Sequence, residues 1–115
     1  MQRIGHGVGI VQGSRLLFAD FADGGAMWTG RGEREVRVPV TFGDPFLDPP
    51  AVIVGMSMWD MHNGSNMRAD ISAAEVTRTG FVVVFRTWGD SRIARVRADW
   101  TAIGATRDEE DWDVA

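Results

Sequence analysis

The fold is decided by residues 80–104, which read GFVVVFRTWGDSRIARVRADWTAIG. Residues 81–87 and 93–102 are rich in the β-branched and aromatic side chains that favour strands, and a short polar turn separates them. The turn carries Trp88 beside small polar residues and an arginine. An aromatic side chain in this setting is typical of a binding surface rather than of a catalytic cleft.

The rest of the chain carries the same kind of pattern. Residues 35–42 alternate polar and apolar side chains, as a half-buried strand does, and Pro39 favours an edge or bulge position because it has no N–H to donate. Residues 51–58 are more continuously apolar, which predicts a strand buried on both faces. Short strands separated by turn residues predict an all-β fold, an antiparallel β-sandwich.

Length and charge indicate one domain followed by an acidic tail. The 115 residues suffice for a single domain with a core, predicted over residues 1–107. Residues 108–115 hold five of the 16 acidic residues and predict a flexible tail, which leaves 12 basic and 11 acidic groups, a net charge of +1, on residues 1–107. All 12 basic residues are arginines and they are scattered singly, so no nucleic-acid partner is expected.

Membrane insertion and a standard export route are not expected. No apolar run approaches the roughly 20 residues that span a bilayer, and residues 1–7 contain no apolar signal segment. We expect the chain to be made in the cytoplasm and to act outside the cell after lysis or by non-classical release, alone or on a particle.

The chain offers little chemistry for catalysis. Its two histidines, His6 and His62, lie in glycine-rich or turn segments without a nucleophile motif, and it has no cysteine. The spacing of Asp60, His62 and Asp70 matches no pattern of metal ligands. We therefore expect a protein that is not an enzyme, with no cofactor and no metal.

A recognition surface is the remaining interpretation. Sugars are bound by polar groups that hydrogen-bond to hydroxyls and by an aromatic side chain that covers a C–H patch, and Arg68, Trp88, Asp90 and Arg92 supply this chemistry. Each of two of these residues also has a simpler interpretation. Trp88 could be a core tryptophan at a strand end, and Arg68 could belong to a surface ion pair of little energetic consequence.

From residue 29 onward the sequence resembles the H-type lectin domain family, which includes snail agglutinins and the C-terminal domains of discoidins. The resemblance extends over about 75 residues and rests on an ordered set of matches: Arg34-Glu35, Thr41-Phe42, Pro45-Phe46, Pro49-Pro50, Asp60, Arg68, Thr79-Gly80-Phe81, Thr87-Trp88 and Trp100. Residues 1–28 match only weakly, and the acidic tail lies outside the resemblance.

The resemblance implies a six-stranded antiparallel β-sandwich that forms a homotrimer and binds N-acetylgalactosamine or galactose without being an enzyme. The family's sugar-binding arginine and tryptophan fall on Arg68 and Trp88. Three site positions depart from the family: Arg31 stands in place of an aspartate, Gly89 in place of a histidine, and Ala94 in place of an aromatic residue.

These departures leave two interpretations of the ligand open. Arg31, Arg68 and Arg92 together predict a positively charged pocket for an acidic glycan, such as a uronic or sialic acid. Alternatively, Asp90 replaces the lost aspartate and preserves binding of a neutral sugar, with Gly89 as part of the site. In either case we expect a homotrimer, or a hexamer of two trimers, that recognises cell-surface glycans through several shallow sites.

A different class of function stays open as the alternative. The domain is then a structural, spike or assembly module of a phage-like particle or surface complex, with little or no sugar binding. On this interpretation the weakly matched residues 1–28, with Phe18-Ala19-Asp20-Phe21 and Met27-Trp28, are a docking segment.

Overall fold

The computed structural model describes residues 1–107, and the predicted acidic tail at 108–115 lies outside the described residues. Within residues 1–107 there are seven strands and one helical turn. They are β1 (Gln2–Ile4), β2 (Val8–Ala19), α1 (Ala26–Thr29), β3 (Arg34–Thr41), β4 (Ala51–Met61), β5 (Asp70–Ala74), β6 (Gly80–Thr87) and β7 (Ile93–Ala105).

The strands form two antiparallel sheets, one in the order β1-β2-β7-β4 and the other in the order β3-β6-β5. This confirms the all-β antiparallel fold class. The described residues hold seven strands where six were expected, because the three residues of β1 pair with the start of β2. β3 is an edge strand, as Pro39 predicted.

The core lies between the sheets and is dominated by β6 and β7. Alternate residues of β6 point inward, among them Phe81 and Phe85, and they meet the inward residues of the other sheet. The ring centroids of Phe81 and Trp100 are 5.4 Å apart, and those of Phe85 and Phe18 are 5.5 Å apart. Burying such a side chain contributes about 1.5–3 kcal/mol, so these contacts account for much of the attraction between the sheets.

The prediction that residues 51–58 are buried on both faces is wrong for this chain. β4 is an edge strand that pairs only with β7, and its side chains alternate between half-buried and exposed. Val52, Val54 and Met56 pack against the core, whereas Ile53 is 66% exposed on the outer face. An apolar run does not reveal which of its faces other elements cover. No element within residues 1–107 covers the outer face of β4.

Three connections meet at one end of the sandwich. β2, β4 and β6 all finish there, so residues 20–33, 62–69 and 88–92 lie side by side. Loop backbone at the end of a sandwich has no sheet ladder to satisfy its polar groups, and other partners must supply the hydrogen bonds. At this end, Arg34 supplies many of them.

Arg34 is the first residue of β3, and its guanidinium joins two of the three loops. It donates to backbone carbonyls on both sides, at distances between 2.8 and 3.4 Å: those of Ala26, Met27, Gly32, Gly89 and Ser91. Partial burial lowers the pKa of Arg34, but a guanidinium titrates so far above neutrality that it stays charged. The planar fork of an arginine is the side chain that fits so many acceptors.

We expect Arg34→Lys to destabilise the domain by about 2 kcal/mol, because an ammonium cannot reach carbonyls in both loops. Thermal unfolding followed by circular dichroism should show a Tm roughly 10 °C lower. Arg37→Lys is the matched control, since Arg37 makes an exposed ion pair with Glu75, a contact of at most about 1 kcal/mol. Equal Tm values for the two variants would contradict the bridging role.

Candidate functional site

Two buried hydroxyl groups fix Arg68 against the turn between β6 and β7. Thr87 Oγ1 donates to the Arg68 carbonyl at 2.6 Å, and the Arg68 N–H donates to Ser91 Oγ at 2.9 Å. Ser91 Oγ in turn donates to the Asn66 carbonyl at 2.5 Å. Both hydroxyl side chains are fully buried. The backbone of loop 62–69 is therefore held in register with the residues on either side of Trp88.

The side chains of Asn66 and Arg68, from loop 62–69, converge on Asp90. Arg68 Nη1 donates to Asp90 Oδ1 at 2.8 Å, and the Asn66 amide nitrogen lies 3.2 and 3.4 Å from the two carboxylate oxygens. The hydrogen bond from the Asn66 side chain is the main cause that lowers the pKa of Asp90, and the bond from Arg68 adds to it. Arg68 and Asp90 both stay partly exposed, so a ligand can reach an ionised acceptor and a charged donor together.

Gly89 contributes its backbone to this arrangement. Its φ is 69°, a conformation that side chains rarely adopt, and an added Cβ would lie 2.9 Å from Arg68 Nη1. Its carbonyl accepts a hydrogen bond from the Gly32 N–H at 2.9 Å. Any larger residue at 89 would strain the backbone of the loop, and the end of the Arg68 side chain would have to shift to admit its Cβ.

Trp88 lies on the surface, 41% exposed. It therefore differs from Trp100, which belongs to the core, and the interpretation of Trp88 as a core residue is wrong. Trp88 borders a depression of about 560 Å³ with a mixed polar lining, in which the carboxylates of Glu33, Glu35 and Asp70 lie beside the guanidinium groups of Arg34 and Arg86. Of these carboxylates, Glu35 is paired with Arg86 at 2.8 Å.

Arg31 and Arg92 line a smaller depression of about 270 Å³ together with Asp90. Arg92 is anchored on Trp28: its Nε donates to the Trp28 carbonyl at 3.1 Å, and its guanidinium carbon lies 4.5 Å from the centre of the indole ring. Arg31 and Trp88 thus line different depressions at the same end of the molecule.

All six residues predicted from the sequence lie at this end of the sandwich, and Arg68, Gly89 and Asp90 contact one another. Sequence reasoning missed Asn66 and Ser91, which hold Asp90 and Arg68 in place. It gave Arg34 no role beyond the family match. Nothing in a single sequence pairs Asn66 with Ser91, because their contact exists only after two loops come together.

Asp60, His62 and Asp70 do not assemble into a metal-binding group, and no other group of three or more such ligands occurs within residues 1–107. His62 has a local role instead, since its Nδ1 accepts a hydrogen bond from the Gly64 N–H at 3.2 Å. No helix in the described part of the chain is long and apolar enough to cross a membrane.

Comparison with solved structures shows the same fold elsewhere. Discoidin II from Dictyostelium discoideum superposes with a TM-score of 0.75 at 24% sequence identity, over 87% of this chain and 38% of the discoidin chain. A second structure of discoidin II, the wild-type protein, gives the same TM-score at 22% identity over 90% of this chain. At these identities the likeness establishes the fold alone.

Sequence comparison places the chain in a family. Discoidin-1 from Dictyostelium discoideum is 36% identical over 81 residues, 70% of this chain and 32% of that protein, so the chain spans about a third of this relative. A protein of Fuscovulum blasticum, named as ORF 7 of the ATP synthase subunits region, is 62% identical over 99% of both chains. The family model of the H-type lectin domain matches residues 37–103. With the fold and these matches in agreement, the chain belongs to the H-type lectin family.

Proposed function

We propose that this domain binds carbohydrate at the loops around Trp88 and that its ligand is a neutral, hydroxyl-rich sugar of the galactose or N-acetylgalactosamine type. The observation that carries the proposal is the Arg68–Asp90 pair, which sits two residues from an exposed tryptophan and is braced by Asn66. Membership of the H-type lectin family supports it.

The chemistry of these groups suits a sugar. Asp90 Oδ1 already accepts from Arg68 and Asn66, whereas Oδ2 carries only the longer contact with Asn66 and can accept from a sugar hydroxyl. Arg68 has further N–H groups that can donate to a ring or hydroxyl oxygen. The indole of Trp88 offers an apolar face for the C–H side of a pyranose, which otherwise lies against water. Because Asn66 and the buried hydroxyls hold these groups in place, little side-chain entropy is lost on binding.

The contacts argue against an acidic glycan. Asp90 already neutralises Arg68, so the expected cationic pocket loses one of its three positive charges, and contacts with Trp28 fix the position of Arg92 without removing its charge. The depression beside Trp88 holds three carboxylates, Glu33, Glu35 and Asp70, against the two guanidinium groups of Arg34 and Arg86. A uronic or sialic acid placed there would meet an excess of one negative charge, which raises the free energy of binding.

Trp88→Ala should weaken binding to a neutral galactoside at least about tenfold, because it removes the stacking surface. Trp59→Ala serves as the control, since Trp59 is an exposed tryptophan of β4 that lines neither depression. Isothermal titration with galactose and N-acetylgalactosamine measures both variants. Equal losses in the two variants would show that the effect is not specific to the site.

A glycan array separates the classes of ligand. We expect hits among neutral galactosides and weak signals from uronic and sialic acids. An array whose hits are all acidic would overturn the ligand assignment. An array without hits, together with copurification of the chain with particle proteins, would favour the alternative of an assembly module.

Binding should depend on pH through Asp90. The lowered pKa means that Asp90 stays ionised below the usual carboxyl value of about 3.9. Its contribution to loop order is present above the unfolded pKa and is lost only as the pH falls through the lower folded pKa. Affinity measured by titration should therefore be flat from about pH 7 to pH 5 and fall below about pH 4.

Asp90→Asn should lower affinity several-fold at pH 7 and reduce the further loss of affinity below about pH 4. The control is Asp48→Asn in the loop at the opposite end of the sandwich, which should leave the pH profile unchanged. A binding midpoint near pH 6 would contradict the role of Asp90, because a carboxyl with a lowered pKa does not titrate there.

We also propose that the chain assembles as a homotrimer, since weak single sites gain about 10²–10⁴ in avidity on a polymeric glycan. The outer face of the β1-β2-β7-β4 sheet supports this, because Val8, Ile53 and Ile103 are exposed on it. Light scattering should give three times the 12.7 kDa of one chain.

Ile53→Asp should reduce that mass to the monomer value while the circular dichroism spectrum stays unchanged, because a charge at the contact opposes association. Met67→Asp is the control, since Met67 is equally exposed but lies in loop 62–69. A wild-type chain that is monomeric at micromolar concentration would contradict the assembly.

A further inference from the structure

We propose that a groove between Phe21 and Trp28 is a second sugar subsite, so that the ligand is an oligosaccharide rather than a single terminal residue. This inference rests on the function proposed above. The groove has a volume of about 420 Å³, within the range of about 300–1,000 Å³ that small-molecule sites occupy.

Aromatic side chains form one wall of the groove. Phe21 is 63% exposed, and its ring meets the Trp28 ring edge-on with centroids 4.9 Å apart. The Trp28 ring is held from two sides, by the Arg92 guanidinium at 4.5 Å and by the His62 ring at 6.0 Å. The wall is thus a braced aromatic surface, the kind of surface on which the C–H face of a pyranose stacks.

The remaining lining gives the groove a smooth floor and a polar rim. Ala19, Ala22 and Ala94 contribute only methyl groups, which leave room for a flat ring. Asp60 and Arg95 also line the groove, and their ion pair is long, with 3.4 Å between Arg95 Nε and Asp60 Oδ2, and exposed. An acceptor and a donor therefore stand beside an apolar wall, the same combination that Asp90, Arg68 and Trp88 present.

The groove continues from the proposed site. Asp90 of that site and Arg92 line the intervening depression, and Arg92 stacks on Trp28, which lines the groove. A glycan that leaves the Trp88 loop in this direction passes over Asp90 and Arg92 before it reaches the aromatic wall. This continuity identifies the occupant as a further residue of the same sugar chain.

The aromatic wall comes from residues that precede the match to the family model at 37–103. The sequence suggested residues 18–21 and Met27-Trp28 as a docking segment. However, Phe18 packs on Phe85 and Met27 is buried in the core, which leaves Phe21 and Trp28 as the accessible members of this set. Two neighbouring aromatic rings at a groove fit a sugar better than they fit a continuous protein-docking strip.

The experiment compares galactose with β-linked galactan oligosaccharides of two to four residues, by isothermal titration and by NMR of the tryptophan indole N–H signals. Trp28→Phe and Trp88→Phe variants assign the two relevant signals. We expect galactose to shift the Trp88 signal alone. The longer sugars should shift the Trp28 signal as well and bind at least tenfold more tightly.

Phe21→Ala should abolish that gain for the longer sugars and leave the affinity for galactose unchanged. Leu47→Ala, an equally simple truncation of an exposed side chain at the opposite end, should change neither. If galactose binds at Trp88 and the longer sugars bind no better, the subsite is wrong and the proposed function stands. If none of these sugars moves either signal, both are overturned.

The oligomeric state of Phe21→Ala distinguishes a sugar subsite from a contact between copies of the chain. Light scattering should give the same mass for this variant and for the wild type. A change in mass would show that the aromatic wall is a contact between copies of the chain, and this outcome also overturns the subsite.

Discussion

The site depends on one cation placed among backbone carbonyl groups. The connections at this end of the sandwich lie beyond the sheet ladders, and loops without such partners are mobile. Arg34 begins β3, and from that fixed position its guanidinium binds carbonyls of the segment around α1 and of the turn that carries Trp88. Its geometry therefore transmits the rigidity of the β3–β6 pair to the residues of the proposed site. Cutting this link would leave the sheets intact and loosen the α1 segment and the Trp88 turn, while the hydroxyl groups of Thr87 and Ser91 still hold loop 62–69.

Charge compensation decides what the ordered loops can recognise. A lone arginine on this surface would favour an anionic ligand, whereas Arg68 faces Asp90 at 2.8 Å and presents a donor beside an acceptor. Gly89 lets the turn pass close to this pair, because its φ is positive and a Cβ there would lie 2.9 Å from Arg68 Nη1. One backbone position thus couples the path of the turn to the electrostatic character of the site.

Features that depend on neighbouring residues in the chain could be predicted from the sequence, whereas features that depend on contacts between distant residues could not. The β6–β7 pair was predictable because alternation and turn residues are local, and Asp90 was predictable because it lies beside Trp88. The exposed face of β4 was not, since Ile53 is exposed only because no neighbour within residues 1–107 lies over it. The family resemblance singled out Arg68. Ser91 and Arg34 act through contacts between loops far apart in the chain, and no periodicity records such contacts.

A shallow sugar site gains affinity in two ways, and they make different demands on the surface. Linking several copies of the chain requires a contact that leaves every site open, whereas adding a subsite requires a groove continuous with the first. The exposed Ile103 lies eight residues along β7 from Arg95 at the groove, a separation of roughly 26 Å. Association through the apolar end of this sheet therefore leaves the loop end accessible. The proposed trimer and the proposed subsite are therefore compatible on one small domain, and their gains in affinity would multiply on a polymeric glycan.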